Sequence, residues 1–108
     1  MIMVQITLQV LPEKHLELQQ TLLSLIEPTM KEPGCLRYAV LGDIRNTNSF
    51  SLLGEWKSRE DLDHHLRSPR FGALLGAKIL LCEPQRIWIH TVSHSEGMEA
   101  VQAARNKR

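Results

Sequence analysis

The stretch LGEWKSREDLDHHLRSP, Leu53 to Pro69, carries the side chains best suited to chemistry: a carboxylate, an indole, an arginine and two adjacent histidines. An imidazole held at the edge of a pocket titrates near neutrality and can take a proton from a phenol or an enol. Neighbours on a helix point about 100° apart, so the two histidines cannot share one task. Leu62 and Leu66 define the inward stripe of that helix, and both are expected to wall any space beneath it. His65 lies roughly 60° from Leu62, at the stripe's edge, whereas His64 lies on nearly the opposite side and is expected in solvent. His65 is thus the candidate catalytic base. The alternative is a histidine that only bonds the sheet and fixes the helix. Trp56 and Tyr38 are candidate substrate contacts, the indole stacking on a ring and the phenol donating a hydrogen bond, with core packing as the alternative for both. Arg59 can steady a phenolate, pair with Glu55, or simply be solvated. Phe71 is placed in the core or on the pocket wall.

These residues need a scaffold, and the pattern of apolar positions supplies one. Residues 2, 4, 6, 8 and 10 are apolar, with Gln5, Thr7 and Gln9 between them, which is the period of a half-buried strand. LPEKHLELQQTLLSLIEPTMK then takes helical spacing, with Leu16, Leu23, Ile26 and Met30 on one stripe widened by Leu22. Pro12 suits a helix start, Pro28 is expected to kink or break the last turns, and Pro33-Gly34 ends the helix. CLRYAVLGD and SFSLLGEW read as a hairpin joined by the polar IRNTN. Ser58 with Asp61 marks a capped helix through Leu66 that stops before Pro69. RFGALLGAKILL is a short helical piece and PQRIWIHTV a last strand, and Ser93 with Glu96 can cap a final helix in the tail. The order β-α-β-β-α-β predicts an α+β, ferredoxin-like domain over residues 1–92, an antiparallel four-stranded sheet with two main helices on one face, followed by a tail at 93–108.

At 108 residues the chain fits one domain. A formal net charge of +1 gives no reason to expect nucleic acid or an anionic membrane as partner. Cys35 and Cys82 form neither a metal-ligand spacing nor a disulfide framework and read as buried free thiols in a reducing compartment. The first residues lack the marks of a signal peptide, and a cytoplasmic location is expected. There is no glycine-rich nucleotide fingerprint and no paired-carboxylate signal, and His64, His65, His90 and His94 make no zinc pattern, so neither cofactor nor metal is expected. The later strands carry large apolar residues on both faces: Phe50, Leu52 and Trp56 against Leu53, Ile87 and Ile89 against Trp88 and Val92, and Leu36, Tyr38 and Val40 against Ala39 and Leu41. A face left to water alternates apolar with polar residues. A homodimer with its sheets face to face is therefore expected, with Trp88 as an anchor.

The ordered set Glu32-Pro33-Gly34-Cys35, the Tyr38 strand, Glu55-Trp56, Ser58-Arg59-Glu60, His65-Leu66, Ser68-Pro69 and Phe71 resembles the antibiotic biosynthesis monooxygenase (ABM) family. The match covers about residues 2 to 92 and leaves the tail without a counterpart. The resemblance implies a dimeric α+β barrel, two ferredoxin-like subunits joined sheet to sheet, with a small-molecule pocket between each sheet and its helices. It also places a histidine at His65. The family includes cofactor-free monooxygenases of phenols and quinols, haem-degrading relatives and an isomerase. The haem-degrading relatives carry an axial histidine on the helix after the Ser-Pro-Phe region, and RFGALLGAKILL has none. The expectation is a cofactor-independent monooxygenase acting with O₂ on a small electron-rich phenol, quinol or enol. The alternatives are a small-molecule-binding dimer without turnover and an isomerase using the same base.

Overall fold

Residues 2 to 9 alternate as their sequence dictates: Ile2, Val4, Ile6 and Leu8 are buried on one face of the first strand. The computed structural model describes residues 1–107. Its elements are β1 (Ile2–Gln9), α1 (His15–Met30), β2 (Cys35–Gly42), β3 (Ser49–Trp56), α2 (Arg59–Leu66), α3 (Pro69–Gly76), β4 (Arg86–Thr91) and α4 (Met98–Arg105). Single turns of 3₁₀ helix precede α1 at Pro12–Lys14 and follow α3 at Ala77–Leu80. The strands form one antiparallel sheet in the order β2-β3-β1-β4. This is the α+β, ferredoxin-like arrangement.

The core lies between the sheet and the helices. Two rows of side chains run across its floor, Tyr38–Gly54–Val4–Ile89 and Val40–Leu52–Ile6–Ile87. The β2 and β3 ends of these rows are covered, whereas Ile87 and Ile89 on the edge strand are 45% and 37% exposed. The helix layer stops short of β4.

The α1 helix is turned differently from its expected phase. Leu18, Leu22, Leu25 and Thr29 are buried, while Leu16, Leu23 and Met30 are exposed. Leucines populate two stripes about a third of the circumference apart, so spacing alone suits either. Burial selects the stripe in which Leu18 and Leu22 are fully enclosed, with Ile26 at its border. Pro28 does not end the helix, which runs to Met30. A proline near the last turn removes only one backbone donor.

Leu36 also departs from expectation. The ladder slips between Cys35 and Arg37, which face the consecutive residues Trp56 and Glu55, so Leu36 is the extra residue of a bulge and is exposed. The open face of the sheet is less apolar than expected. Its rows read Ala39–Leu53–Gln5–Trp88, Arg37–Glu55–Met3–His90 and Leu41–Ser51–Thr7–Arg86, and each mixes apolar with polar residues. The tail carries α4, whose N-cap is Gly97, with its N–H donating to the Glu99 carboxylate, in place of the Ser93–Glu96 cap. No residue of α4 is buried.

Candidate active site

The turn after α1 sets the site's outer wall. Gly34 sits at φ +77°, in the left-handed region that suits glycine, and a Cβ there would overlap the Asp61 carboxylate. Its carbonyl accepts from the Lys57 N–H at 2.8 Å. The Pro33-Gly34 corner is thereby fixed beneath the start of α2, whose N-cap Ser58 accepts from Asp61 N at 3.1 Å. This places Glu32, one residue before the corner, opposite the last turn of α2.

There the carboxylate meets His65. Glu32 Oε2 lies 2.9 Å from His65 Nδ1, and it also accepts from Arg70 Nε at 3.0 Å. The side chains of Glu32 and His65 are 3% and 6% exposed, and that of Arg70 is 37% exposed. Burial works to raise the Glu32 pKa, but the hydrogen bonds and charges of Arg70 and His65 outweigh it, and the carboxyl is held below its ordinary range. Glu32 is therefore a carboxylate with no proton to donate, so Nδ1 carries the hydrogen between them. In the neutral ring the tautomer follows: Nε2 is the nitrogen without a hydrogen.

Three aromatic rings hold the imidazole. Trp56 stacks on it, with centroids 4.6 Å apart and 27° between planes. Phe71 and Tyr38 meet it edge-on at 5.4 Å and 6.2 Å. Burial pushes the Tyr38 phenol up to about 12, helped by the nearby Cys35 and Glu32, so it remains a neutral donor at any working pH.

His65, Tyr38, Trp56, Leu66 and Phe71 line a small cavity over the sheet, floored by Gly54 and Leu52. Its free volume is about 10 Å³, room for roughly one water molecule. Beside it lies an open apolar groove of about 340 Å³ between α3 and β4. Ile6, Leu66 and Phe71 line both spaces.

Five of the expected site residues thus come together: His65, Tyr38, Trp56, Leu66 and Phe71. Two do not. Arg59 points to solvent and bonds Asp63 at 2.9 Å, one helical turn on, an ordinary pairing for an exposed arginine at i and i+4. Leu62 is fully buried in the core and lines neither space. Glu55 pairs with Arg37 across the hairpin rather than with Arg59. His64 is exposed, as expected. Trp56 spends a face on His65, which limits what it can offer a ligand.

Glu32 and Arg70 were missed. Each is far from His65 in sequence, and only the closed fold joins them. The available signal was a carboxylate just ahead of a Pro-Gly corner, beside a buried histidine that needed a partner. Among the described residues there is no cluster of three or more His, Cys, Asp or Glu able to hold a metal ion, and no helix long and apolar enough to cross a membrane.

Residues 1–76 match the model of a family described as antibiotic biosynthesis monooxygenase. The protein sll1783 of Synechocystis sp., described as uncharacterized, is 31% identical over 90 residues, which are 82% of this chain and 61% of that protein. The chain thus spans about three-fifths of that relative's length. Among solved structures, a conserved protein from Methanosarcina mazei Go1 is 37% identical with a TM-score of 0.78, covering 82% of this chain and 89% of its own. The crystal structure of an antibiotic biosynthesis monooxygenase superposes with a TM-score of 0.80 at 22% identity, over 87% of this chain and 100% of that one, and shows the same fold. The chain belongs to the antibiotic biosynthesis monooxygenase family.

Proposed function

We propose that the protein is a monooxygenase that needs no cofactor and uses His65 as a base on a small electron-rich phenol, quinol or enol. The observation that carries this reading is the buried His65–Glu32 pair, 2.9 Å apart, on the wall of an apolar cavity. Such a pair suits a proton acceptor, since the carboxylate fixes the tautomer and stabilises the imidazolium that forms.

The chemistry runs as follows. The substrate hydroxyl gives its proton to Nε2, and the imidazolium that forms is stabilised by the Glu32 carboxylate at Nδ1. The Tyr38 phenol donates a hydrogen bond to the substrate anion. One atom of O₂ enters the product and the other leaves as water, and all four electrons come from the substrate, which must be electron-rich. For a ring to reach His65, the Phe71 and Leu66 side chains must part, because the closed space beside the imidazole holds about one water. Two copies joined through the open face, with Trp88 and Leu53 at the seam, complete the assembly, and the cytoplasm is its setting.

Oxygen uptake with a panel of hydroquinones and enols tests the reading. Consumption of O₂ that falls by about 10²–10⁴-fold in His65→Asn supports it. Full activity in that variant removes the base, and product formed without oxygen reassigns the site to isomerisation.

A further inference from the structure

The groove beside the cavity is built for a chain rather than a ring. Six of its eight lining side chains are aliphatic: Ile6, Leu66, Leu74, Leu75, Ile87 and Ile89. The remaining two are Phe71, which presents its edge to His65, and Gln85. The NH₂ group of Gln85 is already committed, with Nε2 donating to the carbonyls of Leu74 at 3.0 Å and Leu75 at 3.3 Å. A ligand lying here thus meets branched hydrocarbon and few free polar groups.

The floor is continuous. The rows Tyr38–Gly54–Val4–Ile89 and Val40–Leu52–Ile6–Ile87 run from beneath His65 straight out under the groove, and Leu66 and Phe71 stand over the junction. Ile87 and Ile89 face the helix side of the sheet, opposite the face used by the proposed dimer, and stay half-exposed because no helix reaches them. At about 340 Å³ the groove sits at the small end of pockets that hold organic ligands.

We propose that this groove binds an aliphatic chain carried by the substrate, so that the substrate is an alkyl-substituted phenol, quinol or enol with its acidic hydroxyl at His65. The proposal rests on the reading of His65 given above and adds the class of substituent. Chain length then sets affinity: each methylene that leaves water for the groove is worth about 0.8 kcal/mol, or about 4-fold in binding.

A series of 2-alkyl hydroquinones, methyl to decyl, binding to the full-length protein without oxygen and followed by tryptophan fluorescence, tests it. The dissociation constant is expected to fall by about 4-fold per methylene until the groove is filled. Ile87→Ser, at a half-exposed position on the edge strand, is expected to flatten the dependence, with circular dichroism showing that the fold is kept. A flat series in the natural protein overturns the proposal, as does an unaltered slope in Ile87→Ser. Two other results also overturn it by naming another occupant: loss of a dimer in Ile87→Ser assigns the groove to a second copy, and a slope that appears only after deletion of residues 93–108 assigns it to the tail. Because binding is read without turnover, a protein that never consumes oxygen can still show the slope, and an active oxygenase can still lack it.

Discussion

The imidazole of His65 lies against the indole of Trp56, 4.6 Å between centroids and 27° from parallel. One aromatic face is thus spent on orienting the base. Trp56 is 1% exposed and among the largest fully buried side chains, so Trp56→Ala is expected to cost about 3–5 kcal/mol in denaturant unfolding. Trp56→Phe keeps a ring against the imidazole and should retain most of the stability. A Trp56→Ala variant as stable as the natural protein would mean that the stack does not hold the site.

Glu32 couples the base to folding. Its carboxyl pKa lies below 4.5 in the native state, so its contribution is complete above the unfolded value and is lost as the pH falls below 4.5 through the native one. Glu32→Gln should lower stability at pH 7 by about 1.5–3 kcal/mol, the worth of a hydrogen bond to a charged group. Its stability should then vary less with pH at the acid end. If the base reading holds, the variant also lowers kcat through the unfixed tautomer. Urea midpoints between pH 3 and pH 7 for both proteins check the first two points.

Tyr38 is the chain's single tyrosine, which makes its titration clean. Tyrosinate absorbance should rise with a midpoint of about 12 in the folded protein and about 10 once unfolded. The sign follows: between those values the unfolded chain has lost a proton that the native one keeps, so stability falls as pH rises above 10 and levels off above about 12. A native midpoint at 10 would place the phenol in water.

The topology was legible because the strands announce themselves by alternation and the turns by Pro, Gly and Asn. The phase of α1 was not. Leu16, Leu23 and Met30 make as good a stripe as Leu18, Leu22 and Leu25, and only packing against the sheet decides between them. His65 could be found from its place beside Leu62 and Leu66, and Tyr38, Trp56 and Phe71 from the family pattern. Glu32 stood in the family pattern without a role and Arg70 stood outside it, since a charged residue at a helix end usually faces water and their closeness to His65 exists only after α1, α2 and α3 have packed. Arg59 failed for the same physical reason in reverse, finding Asp63 one turn away before it could reach any pocket.

Trp88 gives a separate test of assembly. It is 42% exposed on the open face, in the row with Gln5, Leu53 and Ala39. If two sheets meet there, Trp88→Arg buries a charge without a partner and should shift sedimentation from dimer to monomer at micromolar concentration, with little change in the monomer's own fold. A natural protein that already sediments as a monomer ends the dimer proposal.

Gly54 offers the sharpest separation of site from scaffold. It floors the cavity between Tyr38 and Val4, and a Cβ there would stand 3.2 Å from Trp56 Nε1 and 3.6 Å from the Tyr38 ring. One methyl therefore consumes most of a space of about 10 Å³ and presses on the indole that backs His65. Gly54→Ala is expected to cost up to about 1–3 kcal/mol as overpacking and to abolish turnover at temperatures where the protein is still folded. The far groove does not feel that methyl, so the affinity gained per methylene of an alkyl chain should persist. Circular dichroism establishes the fold, oxygen uptake the activity and fluorescence the binding. A Gly54→Ala protein with undiminished oxygen uptake would show that the substrate does its chemistry somewhere other than beside His65.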